Sequence, residues 1–184
     1  MLKVGIVGYG YLGKAYHKVF EDAVIYDPFY DKSATKDDVN QCDIALVAVP
    51  TDLNEAGELD MSIVEDVVSW LETDTILIKS ALQPGTVDRL VKETGKNIAV
   101  SVELIGEGTY YQPPHKYPDP RNPKIHQMIV VGGKEPARSI AAELLWSQMS
   151  PDIRIHLVSA LEAEITKMAG IDDMLAYQMS KKSL

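Results

Sequence analysis

"GIVGYGYLGKAY" runs from Gly5 to Tyr16, near the start of the sequence. Gly8, Gly10 and Gly13 follow a short apolar run and lead into a segment with helical spacing. The order is strand, tight turn, helix. Gly8 permits the turn, Gly10 lets a ligand approach the backbone, and Gly13 lets helix and strand pack closely. The start of the helix then offers free N–H groups to a dinucleotide pyrophosphate. Alone, the pattern also fits a glycine-rich turn without a ligand. Asp27, however, ends the next apolar run nineteen positions after Gly8. A carboxylate there accepts from adenosine ribose hydroxyls and repels a 2′-phosphate, which favours NAD over NADP.

Working outward, apolar runs alternate with helical spacing along most of the chain. Residues 2–8, 23–27, 43–50, 75–80, 97–103, 127–133 and 152–158 read as strands. Helices are expected over 11–21, 59–72, 84–95 and 136–148, with a short one inside 30–41. The tail, 159–180, reads as an amphipathic helix. In 59–72, Ile63, Val64, Val67, Val68 and Leu71 share the expected buried face. This rhythm predicts an α/β, doubly wound, mostly parallel sheet of Rossmann type, covered on both faces. It places one NAD-binding domain at 1–158 and a C-terminal helix at 159–184. Residues 106–126 carry five prolines, so an irregular, functional loop is expected there.

The chain has 184 residues, 46% of them hydrophobic and 24% charged, and a net charge of −9. That length supports one domain with its own core. An acidic surface repels nucleic acid and anionic membranes, so neither is an expected partner. No apolar run spans a bilayer, and the first residues lack a signal peptide's cleavage region. The single cysteine, Cys42, forms no internal disulfide and suits a reducing cytoplasm. It reads as a buried structural thiol. His17, His115, His126 and His156 are scattered without metal-ligand spacing, and no metal is expected.

Further motifs end the later strands. In "VAVPTD" (47–52), Val49 and Pro50 leave a strand toward the ligand edge, and Thr51 is a candidate cofactor contact; an ordinary turn fits equally. "KSALQPGT" (79–86) brings Ser80 to the same edge, with Lys79 read as a solvated cation and Pro84 and Gly85 as turn residues. "VELIGEG" (102–108) carries Glu103 and Glu107, two carboxylates suited to activating a hydroxyl or a water; solvated surface glutamates are the plainer alternative. "EAEITKMAG" (162–170) carries Lys167. Such a lysine stabilises a developing alkoxide, or simply pairs on the surface with Glu164, three residues earlier.

Together these fragments, with "MIVVGG", resemble the N-terminal part of the nucleotide-sugar 6-dehydrogenases, the UDP-glucose and GDP-mannose dehydrogenase family. They fall in the family's order across nearly the whole chain. The resemblance implies an NAD-dependent oxidoreductase that passes hydride from C6 of a UDP-glucose-type sugar to NAD, and a place in polysaccharide biosynthesis. It implies that Gly8, Tyr11, Leu12, Asp27, Lys32 and Thr51 hold NAD. It matches Glu103 and Glu107 to the family's substrate loop, the latter in acid–base work and at the cofactor, and Lys167 to an oxyanion-stabilising lysine.

The chain departs from the family at several of these positions. Ala81 stands where a threonine carries a water-positioning hydroxyl, Val102 where proline is usual, Gly106 where arginine is common, and Ile171 where an asparagine partners the lysine. The family continues through a long helix into a second domain with a nucleophilic cysteine. A thioester step needs a thiolate, and Cys42 lies in another motif, so the chain is expected to be incomplete without that domain or a partner chain. Two other readings stay open: a non-catalytic NAD-binding module such as a small viral genome would keep, and a two-electron alcohol dehydrogenase for a smaller substrate. On the last helix Leu161, Ile165, Met168, Ile171 and Leu175, with Met174 and Met179, form an apolar stripe. It either packs on its own sheet or seeks a partner, as in a homodimer.

Overall fold

The apolar runs become the strands of one sheet. The structure, a computed structural model, describes residues 2–102, 122–126 and 128–170. The strands are β1 (Val4–Val7), β2 (Val24–Tyr26), β3 (Ile44–Val47), β4 (Thr75–Ile78), β5 (Ile98–Val102), β6 (Met128–Gly133) and β7 (Arg154–Val158). Their spatial order is β2-β1-β3-β4-β5-β6-β7. Every residue of β1, β3, β4 and β5 is buried. That fits strands covered on both faces, which need apolar side chains in both directions.

The helices are α1 (Tyr11–His17), α2 (Lys36–Asn40), α3 (Ser62–Trp70), α4 (Thr86–Thr94), α5 (Ala137–Gln148) and α6 (160–170). On one face Tyr16 of α1 and Leu144 and Leu145 of α5 pack against Ile6, Leu46 and Leu77. On the other face Val39, Val64, Val67, Leu90, Ala160 and Ala163, from α2, α3, α4 and α6, cover Val7, Val47, Ile78 and Val100. Val64, Val67, Val68 and Leu71 are buried as their spacing requires, but Ile63 is 46% exposed. It sits a quarter turn from the centre of that stripe and falls past its edge.

Two topological features position the site. After β2 the chain crosses to the far side of β1, so β1 and β3 are neighbours whose connections leave in opposite directions. The crevice beyond their carboxyl ends is where such a sheet binds ligands. Next, all pairs are parallel except β5 and β6. Val102, which ends β5, and Met128, which begins β6, therefore both stand at that carboxyl edge. The expected irregular loop, with Glu103, Gly106 and Glu107, lies outside the described residues, apart from a short 3₁₀ turn at Pro123–Ile125. β7 follows β6 in direction, so α6 starts at the opposite edge and climbs back toward the ligand edge.

The glycine turn is fixed by close approach. Gly8 adopts φ 95°, and a Cβ there would lie 2.5 Å from the Ala48 carbonyl oxygen. A Cβ on Gly13 would lie 2.0 Å from the Gly8 oxygen, whereas one on Gly10 meets nothing within 4 Å. Gly13→Ala should therefore destabilise the fold by about 3 kcal/mol. Gly10→Ala should cost less than about 1 kcal/mol. Urea denaturation of the two variants beside wild type tests this contrast.

Candidate functional site

The carboxyl edge is assembled from β2 across to α6 by polar contacts between successive elements. At β2, Gly8 N–H donates to the Tyr26 carbonyl at 2.9 Å. Asp27 follows, and both its oxygens are held: Oδ2 accepts from Tyr9 N–H at 2.6 Å and Oδ1 from Phe29 N–H at 2.8 Å. A carboxylate offers about four acceptor positions, so its remaining lone pairs are open to hydroxyls. The Tyr9 hydroxyl is hydrogen-bonded to His17 Nδ1 at 2.7 Å, and its ring lies 4.4 Å from that of Tyr30. Burial, with Tyr30 beside it, pushes the Tyr9 phenol above its usual range. Lys32 is exposed in the loop between β2 and α2.

At the start of α1, Gly10 is exposed and occupies the N-cap with no side chain closing the helix end. No acidic residue stands in the first turn, and Tyr11 and Leu12 are half-buried there. The first amides of this helix thus point into open space, bounded by a glycine whose missing Cβ would have filled it. The arrangement fits a pyrophosphate, which satisfies such amides and is favoured by the helix dipole.

Past β3, Val49 and Thr51 are half-buried and Pro50 is exposed. Ser80, buried after β4, donates its hydroxyl to the Val49 carbonyl at 2.7 Å and ties the two strand ends together. Lys79 departs from expectation: it is not solvated but 0% exposed. It lies two residues after Leu77, and period-two alternation sends its side chain into the same interior layer. Its Nζ donates to Ser101 Oγ on β5 at 2.8 Å and stands 4.4 Å from the centre of the Tyr16 ring.

Lys167 and Glu164 also depart from expectation, since they do not form a surface pair. Glu164 is only 1% exposed. Its carboxylate accepts from the N–H groups of Gly85 at 2.5 Å and Val87 at 2.8 Å. Gly85 is the N-cap of α4 and has no side chain to cap with, so α6 supplies that cap from 79 residues away. Lys167, one turn further on, donates Nζ to the Lys79 carbonyl at 2.5 Å. One helix therefore meets the β4–α4 connection with an anion on exposed amides and a cation on an exposed carbonyl. Each charge sits where the local backbone dipole favours it.

Several of these residues carried signals in the sequence. Lys79 is the one charge in the apolar run "TILIKSAL", and Glu164 shares a helical face with Ala160 and Ala163. Tyr9 carried none, because its role rests on its backbone. Leu161 and Ile165 are 43% and 50% exposed; the small residues Ala160 and Ala163, not that stripe, face the sheet. Ile171, Met174, Leu175 and Met179 lie outside the described residues. A shallow groove lined by Ala142, Glu143, Trp146, Ile155 and Leu157 flanks β7 at the far side of the sheet and shares no residue with this edge. Among the described residues no group of three metal-ligating side chains gathers, and no helix is long and apolar enough to cross a membrane.

Comparison with known proteins settles the family. Residues 16–150 match the model of the UDP-glucose/GDP-mannose dehydrogenase family, NAD binding domain. The chain belongs to that family. It is an oxidoreductase-family domain that binds NAD, on a Rossmann-like fold. Among curated proteins none matches. Solved structures share the fold. GDP-mannose dehydrogenase of Pseudomonas aeruginosa superposes with a TM-score of 0.69 at 18% identity, covering 97% of this chain and 51% of that one. UDP-glucose dehydrogenase of Pyrobaculum islandicum gives 0.66 at 20% identity, covering 92% and 49%. An imine reductase variant of Myxococcus stipitatus, in complex with NAD+, gives 0.68 at 12% identity, covering 99% and 63%. The chain thus spans about half the length of the sugar dehydrogenases it matches.

Burial holds the Glu164 carboxyl above its usual range, against the two amide contacts that pull it down. The folded protein then keeps this proton at a pH where the unfolded chain has lost it. The resulting stabilisation is full below the ordinary glutamate value and is lost as pH rises through the raised native one. Urea melts between pH 4 and 7 should show wild type losing stability across that window relative to Glu164→Gln, whose amide does not titrate. Parallel curves for the two proteins would remove Glu164 as the source.

Proposed function

We propose that the chain is the cofactor half of a nucleotide-sugar 6-dehydrogenase and carries out the first hydride transfer, from C6 of a UDP-glucose-type sugar. The observation that carries this reading is the meeting of α6 with the end of β4. There the Lys167 ammonium reaches the same sheet edge as the open glycine turn. The amides at the start of α1, around Gly10, Tyr11 and Leu12, receive the pyrophosphate. Asp27, fixed by two backbone donors, binds the ribose hydroxyls. Lys32 adds a contact from its loop, and Val49, Pro50, Thr51 and Ser80 line the path across β3 and β4. Gly8 and Gly13 keep the turn and helix in place.

NAD, when bound, supplies the hydride acceptor at nicotinamide C4. Glu107 takes the hydroxyl proton as the hydride leaves the same carbon centre, and this yields an aldehyde. Glu103 belongs to the same substrate loop. Lys167 stabilises the alkoxide character of the sugar oxygen. Placement of Val102 and Met128 at this edge supports a role for the loop between them.

Oxidation beyond the aldehyde needs a thiolate nucleophile. Cys42 precedes β3, at the opposite edge of the sheet. It is buried, and burial pushes its thiol above the usual range. It therefore does not serve, and a further domain or partner chain completes the reaction. Leu161 and Ile165 offer that partner, or a second copy of this chain, an exposed apolar strip. A non-catalytic NAD-binding module is the second reading, favoured by Ala81, which lacks the hydroxyl usual in the family.

Calorimetric titration with NAD followed by UDP-glucose, read by NADH absorbance, separates the two. The proposal expects NAD binding and one hydride transferred per chain. Binding without NADH from any nucleotide sugar would leave the non-catalytic reading. Lys167→Met should slow transfer about a hundredfold, with the NAD dissociation constant unchanged.

A further inference from the structure

Lys79 is the only buried lysine or arginine among the described residues. Burying an ammonium is costly, and the Ser101 hydroxyl and Tyr16 ring face offset only part of that cost. An apolar side chain of similar length would fill the space without it. Its place in the fold indicates what the charge does. The inference rests on the reading above, in which Asp27 after β2 takes the adenosine end. The strand order β2-β1-β3-β4 then leads the other half of the dinucleotide across the ends of β3 and β4. Lys79 is the first residue after β4.

The nicotinamide ring is positively charged when oxidised and neutral when reduced. A cation held in a low-dielectric interior near that half of the site disfavours the oxidised form, because charges there are weakly screened. We propose that the buried Lys79 ammonium selects the redox state of the bound cofactor, biasing the site toward reduced dinucleotide. The effect concerns one unit of charge at a fixed position, so it holds whatever other groups touch the ammonium. Ser101 and Tyr16 keep the charge in place, and the Lys79 carbonyl simultaneously seats Lys167. Oxidation state would thus govern how firmly the product cofactor is retained after hydride transfer.

The test titrates NAD+, NADH and ADP-ribose, which lacks nicotinamide, into the full chain by calorimetry. Wild type should bind NADH at least tenfold more tightly than NAD+. Lys79→Met and Lys79→Gln, two neutral side chains of different polarity, should each narrow that ratio about tenfold and change ADP-ribose affinity less than twofold. Equal shifts for NAD+ and NADH, or a matching shift for ADP-ribose, would show a packing role only and overturn the proposal. Should thermal melts show that neither variant folds, the wild-type ratio decides. A ratio of ten or more supports the proposal, and a smaller one overturns it. Wild type that binds ADP-ribose but shows no preference sinks only the charge selector. Failure to bind ADP-ribose sinks the placement of the dinucleotide, and the selector with it.

Discussion

The close approach of Gly13 to the Gly8 carbonyl constrains everything downstream. No side chain fits between them, so α1 lies directly on the turn that leaves β1. That contact fixes which way the helix axis points and which amides face the sheet edge. Gly8 N–H donates to the end of β2, and Tyr9 N–H donates to Asp27. The turn thereby also fixes the carboxylate that lies beyond it. Cradle and ribose acceptor are one rigid piece, not two sites that must find each other. Preorganisation of that kind lowers the ordering cost of binding.

The other end of the edge is held by a different device. β4 and β5 are packed on both faces, yet their carboxyl ends receive polar side chains: Ser80 on the Val49 carbonyl, Lys79 on Ser101, Lys167 on the Lys79 carbonyl. α6 reaches them because Gly132 of β6 has no side chain; a Cβ there would sit 2.5 Å from that of Ala163. The helix therefore approaches the sheet closely, and Glu164 and Lys167 project past it onto the β4–α4 connection. Buried charge pairs with backbone dipoles here, where a salt bridge would bury two ions at a higher desolvation cost.

Strand number, order of elements and the glycine turn were legible in the sequence because each rests on local pattern. "DIALVAVP" and "TILIKS" are long apolar runs, and Gly95 ends α4 in a left-handed conformation as a helix-stop glycine does. The antiparallel β5–β6 pair was not legible, since strand direction leaves no trace in composition. Lys79, Glu164 and Lys167 were read as solvated or paired with each other because charged residues are rarely buried. Glu164 and Val87 are 77 positions apart, and only the folded topology brings the carboxylate to the helix end. Motif resemblance pointed to Lys167 but not to what holds it there.

An acidic chain that binds an anionic cofactor needs a local field opposing its net charge of −9. At the carboxyl edge that field has three sources: the open end of α1, the Lys79 ammonium inside the sheet, and Lys167 on α6. Net charge acts through solvent and is screened over roughly 10 Å at ordinary salt. Oriented amides and interior charge act at contact distance through protein. The surface can therefore remain repulsive to nucleic acid and to anionic lipid while one edge of the sheet attracts a pyrophosphate. Charge placement, not total charge, decides which anion this chain holds.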